Sequence, residues 1–131
     1  MNKVRVLLAD DHQAILARVR RELGEEFEVI GTAANGAEAV DAVSQLDPDV
    51  LVIDISMPGL SGLEAAERLH TSCRRTKIVF LTIHSEEQFV QACIAEGALG
   101  YVVKGHMKAH LIPAIQAALI GESYVSPLIP R

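Results

Sequence analysis

Three carboxylates and a lysine stand where apolar runs stop. "LLADD" (7–11) ends on Asp10 and Asp11, "VLVID" (50–54) ends on Asp54, and "GYVVK" (100–104) ends on Lys104. A fourth run, "VFLT" (79–82), ends on the hydroxyl of Thr82. Brought to one point, Asp10, Asp11 and Asp54 would repel one another and call for a cation. An oxygen-only ligand set of this density suits Mg²⁺, or Mn²⁺. A lysine facing them can neutralise an incoming phosphoryl group, and a threonine hydroxyl can donate to its oxygens. Each residue alone has an ordinary reading: Asp11 as a helix cap, Asp54 as a turn acid before Pro58 and Gly59, Thr82 as a strand residue, Lys104 as a solvated cation. The combination at the ends of apolar runs carries the chemistry.

Convergence requires elements whose ends point the same way. Runs at 4–9, 27–33, 50–54, 77–82 and 100–103 are short, mostly rich in Val, Ile and Leu, and bounded by turn residues, which predicts strands. Helices fill the gaps. The first, over 12–23, puts Ile15, Leu16, Val19 and Leu23 on one side. The second, over 36–46, starts at Asn35 with Glu38 three residues later. The third starts at Ser61 with Glu64, the fourth at Ser85 with Gln88, in the capping-box spacing. The fifth, over 108–120, stops at Gly121 and tolerates Pro113 only near its first turn. Five strand–helix pairs predict a parallel sheet with helices on both faces, and such sheets place their functional crevice beyond the strand carboxyl ends.

Bulk properties narrow the class. A length of 131 residues, half of them apolar, fits one domain with a substantial core. A net charge of −5 without a long single-sign run gives no nucleic-acid footprint. Cys73 and Cys93 lack paired or zinc-like spacing, so they read as reduced thiols in a cytoplasmic protein. No signal peptide is visible, and no run approaches the roughly 20 apolar residues of a membrane span. The P-loop and GxGxxG motifs are absent. A haloacid-dehalogenase-like phosphatase would carry Asp-x-Asp, whereas the third position here is Ser56. A flavodoxin-like electron carrier would cradle phosphate in its first strand–helix loop, where Asp10 and Asp11 would repel it. A non-phosphorylated interaction module of the same fold is a third alternative, disfavoured by the presence of all five site residues.

The segments "LLADDH", "VLVIDISMPGLSG", "VFLTIHS" and "GYVVKG", in this order and spacing, resemble the receiver domain of two-component response regulators over essentially the whole chain. The resemblance implies an α/β, flavodoxin-like (βα)5 fold, a single-domain doubly wound parallel sheet of strand order 2-1-3-4-5. It implies that Asp54 accepts a phosphoryl group from a sensor histidine kinase. Mg²⁺ (or Mn²⁺) would be held by Asp10, Asp11, Asp54 and the backbone carbonyl of Ser56. Thr82 and Lys104 would bind the phosphoryl oxygens, and Tyr101 would reorient on activation. Met57, Pro58 and Gly62 match the turn after the acceptor. Ser56 and His84 occupy positions that tune hydrolysis in this family; an ordinary loop histidine is the plain alternative for His84. Such a protein is not an enzyme but a signalling phosphoacceptor that assists its own phosphorylation and dephosphorylation.

Two departures place the chain more finely. Gly105 stands where many receivers have proline, and Ile83 where many have alanine, a bulk expected to narrow access to the acceptor. Both features, with "GESYVSPLI" near the end, resemble the NarL/FixJ-type branch, whose receivers precede a LuxR-type helix-turn-helix. The expected organisation is a receiver over 1–121 and the start of a linker over 122–131, leading to a C-terminal output domain missing from this chain; a stand-alone receiver is the alternative. DNA binding and transcription regulation would run only through that domain.

The fifth helix raises a separate question. Leu111, Ile112, Ile115, Ala117, Leu119 and Ile120, with Ala114 and Ala118, surround it almost completely, and Gln116 is the only polar residue between 111 and 120. An outer helix should show water a polar face. Either the tail "SYVSPLIP" covers the helix, or the helix meets another molecule, as in a homodimer. His106 and His110 have i, i+4 spacing without an evident third ligand, and His12 reads as a solvated residue at a helix start.

Overall fold

Alternate residues of each strand enter two different cores, as the period of 2 requires. Leu7, Ala9, Leu51, Ile53, Ile78, Phe80 and Tyr101 join one cluster, and Val6, Leu8, Val50, Val52, Val79, Leu81 and Val102 join the other. Both faces are therefore covered, which is why the central runs read as continuously apolar. The computed structural model describes residues 3–72 and 75–126. Its elements are β1 (Val4–Ala9), α1 (Gln13–Leu23), β2 (Phe27–Ala33), α2 (Gly36–Leu46), β3 (Val50–Ile53), α3 (Gly62–Ser72), β4 (Lys77–Thr82), α4 (Glu87–Ala95), β5 (Gly100–Val103), α5 (Met107–Leu119) and β6 (Tyr124–Val125). Short 3₁₀ turns at Gly24–Glu26 and Lys104–His106 precede β2 and α5. Every strand pair is parallel, in the order β2-β1-β3-β4-β5-β6. Helices α2, α3 and α4 pack on the first cluster, and α1 and α5 on the second.

The expected order 2-1-3-4-5 holds, and a sixth strand extends it. Tyr124 and Val125 pair with Gly100 and Tyr101. The stretch that the sequence assigns to a linker thus begins with sheet structure. A two-residue strand has too short a pattern to be read from alternation, and backbone pairing with β5 creates it.

Two of the three expected caps form. At α2, the Glu38 N–H donates to Asn35 Oδ1 at 2.9 Å, and Glu38 Oε1 accepts from the Ala34 N–H. At α3, Glu64 N–H donates to Ser61 Oγ and Ser61 N–H to Glu64 Oε1, both at 3.2 Å. The third does not: α4 begins at Glu87 with Glu86 as N-cap and no side-chain cap bond. His84, just before Ser85, is tied to the crevice instead, and its ring stacks on Phe89 of α4 with centroids 4.2 Å apart. Pro113 also departs from expectation, sitting well inside α5. It leaves the Ala109 carbonyl without a helical donor, and Ala109 is exposed, so water can take that role.

At the opposite end of the sheet from the acids, Asp49 clamps three segments. It accepts the Arg5 N–H at 2.8 Å and Arg75 Nη2 at 2.7 Å, while Arg5 and Arg75 reach the Asp47 and Pro48 carbonyls. The Arg5 backbone donor, opposed by burial and aided by the Arg75 guanidinium, holds the Asp49 carboxyl below its ordinary value. A depressed carboxylate stabilises the fold above its unfolded pKa and loses that contribution as pH falls through the folded one. Asp49→Ala should therefore cost about 2 kcal/mol at neutral pH, mainly by orphaning the Arg5 N–H. In urea titrations the gap between variant and parent should narrow as the pH drops below the carboxylate range. A gap that widens there would refute the clamp. Cys93 is buried, and burial pushes its thiol up to about 12, consistent with an inert reduced thiol. Cys73 lies outside the described residues.

Candidate functional site

Each acid is the first residue past its strand, and each is still held by the ladder. Asp10 N–H donates to the Ala33 carbonyl and Asp54 N–H to the Ala9 carbonyl, both at 3.0 Å. The neighbouring strand ends thus deliver two carboxylates to one place, where Asp10 is 4% and Asp54 5% exposed. Lys104 arrives from the end of β5. Its Nζ lies 2.8 Å from Asp10 Oδ2 and 3.0 Å from Asp54 Oδ2, bridging the two. Burial works against the Lys104 ammonium, but hydrogen bonds and charges from Asp10 and Asp54 outweigh it, so its pKa is raised. One ammonium shared by two buried carboxylates offsets part of their desolvation cost and leaves one negative charge uncompensated.

Asp11 and His12 complete the cluster. His12 N–H donates to Asp10 Oδ1 at 2.9 Å, and His12 Nδ1 lies 3.1 Å from Asp10 Oδ1 and 3.2 Å from Asp11 Oδ1. Asp11 does not cap α1; the cap position is His12, with no side-chain cap bond. Ligand atoms of Asp10, Asp11, His12 and Asp54 all lie within 4.8 Å of one another. Three carboxylates against one ammonium leave two negative charges unbalanced, and the donors are mostly hard oxygens. That set fits a small divalent cation such as Mg²⁺.

The remaining expected residues ring this centre. Thr82, fully buried at the end of β4, accepts the His84 N–H on its hydroxyl at 3.3 Å. Ser56 N–H reaches toward Asp54 Oδ1 at 3.4 Å, and Ser56 Oγ lies 3.0 Å from His84 Nε2. Tyr101 is buried, and its hydroxyl donates to the His84 carbonyl at 2.8 Å. Burial, with smaller contributions from Cys93, Glu86 and Asp54, raises the Tyr101 phenol pKa, so it stays a donor. His84 joins Ser56 and Phe89 through its ring, and Thr82 and Tyr101 through its backbone N–H and carbonyl. Ile83 stands largely in solvent, 71% exposed.

The structure brings Asp10, Asp11, Asp54 and Lys104 together and joins Thr82 to the His84 loop, and sequence reasoning missed two links. One is the bridge from Lys104 to Asp10 as well as Asp54. The other is the lining of the His84 loop by Phe89, whose only signal was its place in the first turn of α4. His106 and His110 have ring centroids 5.7 Å apart, and His110 Nδ1 bonds to the Tyr124 hydroxyl. Among the described residues, the Asp10 cluster is the one group of three or more ligands, so the pair gains no third partner. On α5, Leu111 and Ile115 are fully buried against the sheet and drop out of the outward face. Ile112, Ala117 and Leu119 are partly buried, and Ile120 is 71% exposed. Tyr124 packs against this same core, so the tail covers part of the helix; residues 127–131 lie outside the described residues. Among the described residues no helix is long and apolar enough to cross a membrane.

Comparison with known proteins agrees with this geometry. The response regulator receiver domain family matches residues 6–116. Response regulator GacA of Pseudomonas viridiflava is 36% identical over 130 residues, covering 98% of this chain and 61% of GacA. The chain thus spans about three-fifths of the length of that curated relative. A two-component response regulator of the LuxR family from Aurantimonas sp. SI85-9A1 superposes with a TM-score of 0.91 at 31% identity, covering 96% of this chain and 91% of that one. The isolated REC domain of RcsB from Salmonella enterica serovar Typhimurium, solved with the phosphomimetic BeF3⁻, has a TM-score of 0.86 at 25% identity and covers 95% of this chain and 94% of that one. Carboxylates at the ends of β1 and β3, the lysine after β5 and these matches give one answer: the chain belongs to the response regulator receiver domain family of two-component signalling, on its NarL/FixJ-type branch.

Proposed function

We propose that Asp54 is the phosphoacceptor of this receiver, taking its phosphoryl group from a phosphohistidine on a sensor histidine kinase. The observation that carries it is the buried lysine bridge: Lys104 holds Asp54 by Oδ2, at 3.0 Å, while Oδ1, with the longer 3.4 Å contact from the Ser56 N–H, is the oxygen available for attack. Asp54 Oδ1 would form the new O–P bond as the P–N bond to the histidine breaks, its electron pair leaving with the ring nitrogen. Asp10, Asp11, Asp54 and the Ser56 carbonyl would hold Mg²⁺, which supplies charge neutralisation between the carboxylate and the phosphoryl oxygens. Lys104 and the Thr82 hydroxyl would then bind those oxygens, Thr82 giving up its contact with the His84 N–H. The buried Tyr101 would follow the His84 loop that its hydroxyl holds. Ser56 and His84, bonded across the mouth of the crevice, would set how water approaches the acyl phosphate, and so how fast the protein dephosphorylates itself.

Incubation with a small-molecule phosphodonor and Mg²⁺ should add one phosphoryl group to the parent and none to Asp54→Asn, read by intact mass. Chelation should abolish the labelling. Equal labelling of Asp54→Asn would remove the assignment.

We infer a receiver over 1–121 whose following segment, 122–131, leads toward a DNA-binding domain that regulates transcription, all in the cytoplasm where the kinase phosphohistidine is presented. The outward side of α5, with Ile112, Ala117, Leu119 and Ile120, supports a homodimer contact. Ile120→Glu should weaken self-association about 10-fold in sedimentation, a loss of about 1.4 kcal/mol, while labelling of Asp54 is unchanged. Unaltered self-association would exclude this face.

A further inference from the structure

Ser126 is buried to 1% exposure although it follows a strand of only two residues at the edge of the sheet. Its N–H donates to the Tyr101 carbonyl at 2.8 Å, and its Oγ accepts the Val103 N–H at 3.3 Å. Tyr124 N–H donates to the Leu99 carbonyl at 2.8 Å, and the Tyr124 hydroxyl bonds to His110 of α5. All three main-chain anchors of this segment lie on β5 or the residue just before it. That same strand carries the crevice: Tyr101 holds the His84 carbonyl through its hydroxyl, and Lys104 follows Val103 directly. One residue, Tyr101, therefore bonds the loop of the site with its side chain and the C-terminal segment with its main chain.

We propose that residues 124–126 form a clip on β5 that is released when Asp54 is phosphorylated, passing the state of the site to the segment that follows. The proposal rests on the phosphoacceptor role of Asp54. Lys104 is now shared between Asp10 and Asp54. A phosphoryl group brings about two further negative charges, and its oxygens draw the ammonium inward. Movement of Lys104 toward β3 pulls the end of β5 away from the edge where β6 docks. The Val103–Ser126 bond is the longest of the three and lies nearest Lys104, so it yields first. A two-residue edge strand with a handful of bonds sits at the low-stability end of a fold, where a small displacement shifts its population. Unclipping frees residues 124–126 from the β5 edge, a change that a flanking domain can read without touching the crevice.

The test is residue-resolved amide exchange on the whole chain, with and without BeF3⁻ and Mg²⁺. Tyr124 and Ser126 amides should exchange at least about 5-fold faster with BeF3⁻ bound, a modest allosteric coupling. Coupling is reciprocal, so Ser126→Ala, which removes the acceptor for Val103, should bind BeF3⁻ tighter by a similar factor; Tyr124→Phe should act in the same direction through loss of the His110 bond. Chemical shifts of Ser56 and His84 report occupancy independently. If those shifts move but Tyr124 and Ser126 exchange no faster, the clip is wrong and the phosphoacceptor reading survives. If BeF3⁻ leaves Ser56 and His84 unperturbed, the phosphoacceptor reading fails and takes the clip with it.

Discussion

Lys104→Met should lose phosphoryl labelling by about 10²-fold, the usual scale for deleting one preorganised charge at a reacting centre. It should also unfold more easily, by about 3–5 kcal/mol, because Asp10 and Asp54 keep their burial and lose their shared ammonium. Methionine preserves most of the apolar stem, so the loss reads charge rather than volume. One control separates that cause from a packing defect. Added Mg²⁺ should raise the variant's melting temperature more than the parent's, since a divalent cation becomes the remaining counter-charge to Asp10, Asp11 and Asp54. The pH profile should also be flat across neutrality. The Lys104 pKa is raised above 10.5, so its contribution is fully present below that value and is lost only as pH climbs through the folded pKa. A variant as stable and as readily labelled as the parent would show that the bridge has no role.

Gly62→Ala should be nearly as damaging, although Gly62 makes no contact through a side chain. A Cβ built there would lie 1.8 Å from the Asp54 carbonyl oxygen and 2.7 Å from its carbonyl carbon. Both are backbone atoms of Asp54 itself, and Gly62 N–H is bound to the Ile55 carbonyl at 2.8 Å, so neither segment can slide freely. Alanine is the better helix former by about 1 kcal/mol, which would make the substitution stabilising in open space. Here overpacking should win, with a net loss of about 3 kcal/mol and a displaced Asp54 carboxylate. Thermal unfolding and phosphodonor labelling should fall together. A stabilised variant with normal labelling would mean that the turn after β3 is far looser than its geometry.

These two residues show where sequence and structure divide. The chain's local code determined its elements: apolar runs of four to seven residues, interrupted by Asn35–Glu38 and Ser61–Glu64 caps, place β1 to β5 and the helix starts within a residue or two. The position of Asp10, Asp54, Thr82 and Lys104 at run ends then determined that they share one side of a parallel sheet, because all carboxyl ends point the same way. Such facts depend on neighbours in the chain, and periodicity records them.

Other features depend on residues far apart, which no local pattern encodes. Ser85 and Gln88 have the spacing of a cap, but the His84 loop is held by Ser56 and Tyr101, and α4 starts later. The all-round apolar appearance of α5 resolved only in three dimensions. Leu111 and Ile115 face the sheet, Tyr124 covers part of the rest, and Ile120 is left outside. β6 exists because β5 offers it an edge, and Lys104 chooses both Asp10 and Asp54 because the strands deliver two carboxylates within reach of one ammonium. Residue type and period determined which groups could meet in this protein. The close approach of strands, down to the missing Cβ of Gly62, decided which of them do, because burial and hydrogen-bond satisfaction are settled between segments and not within them.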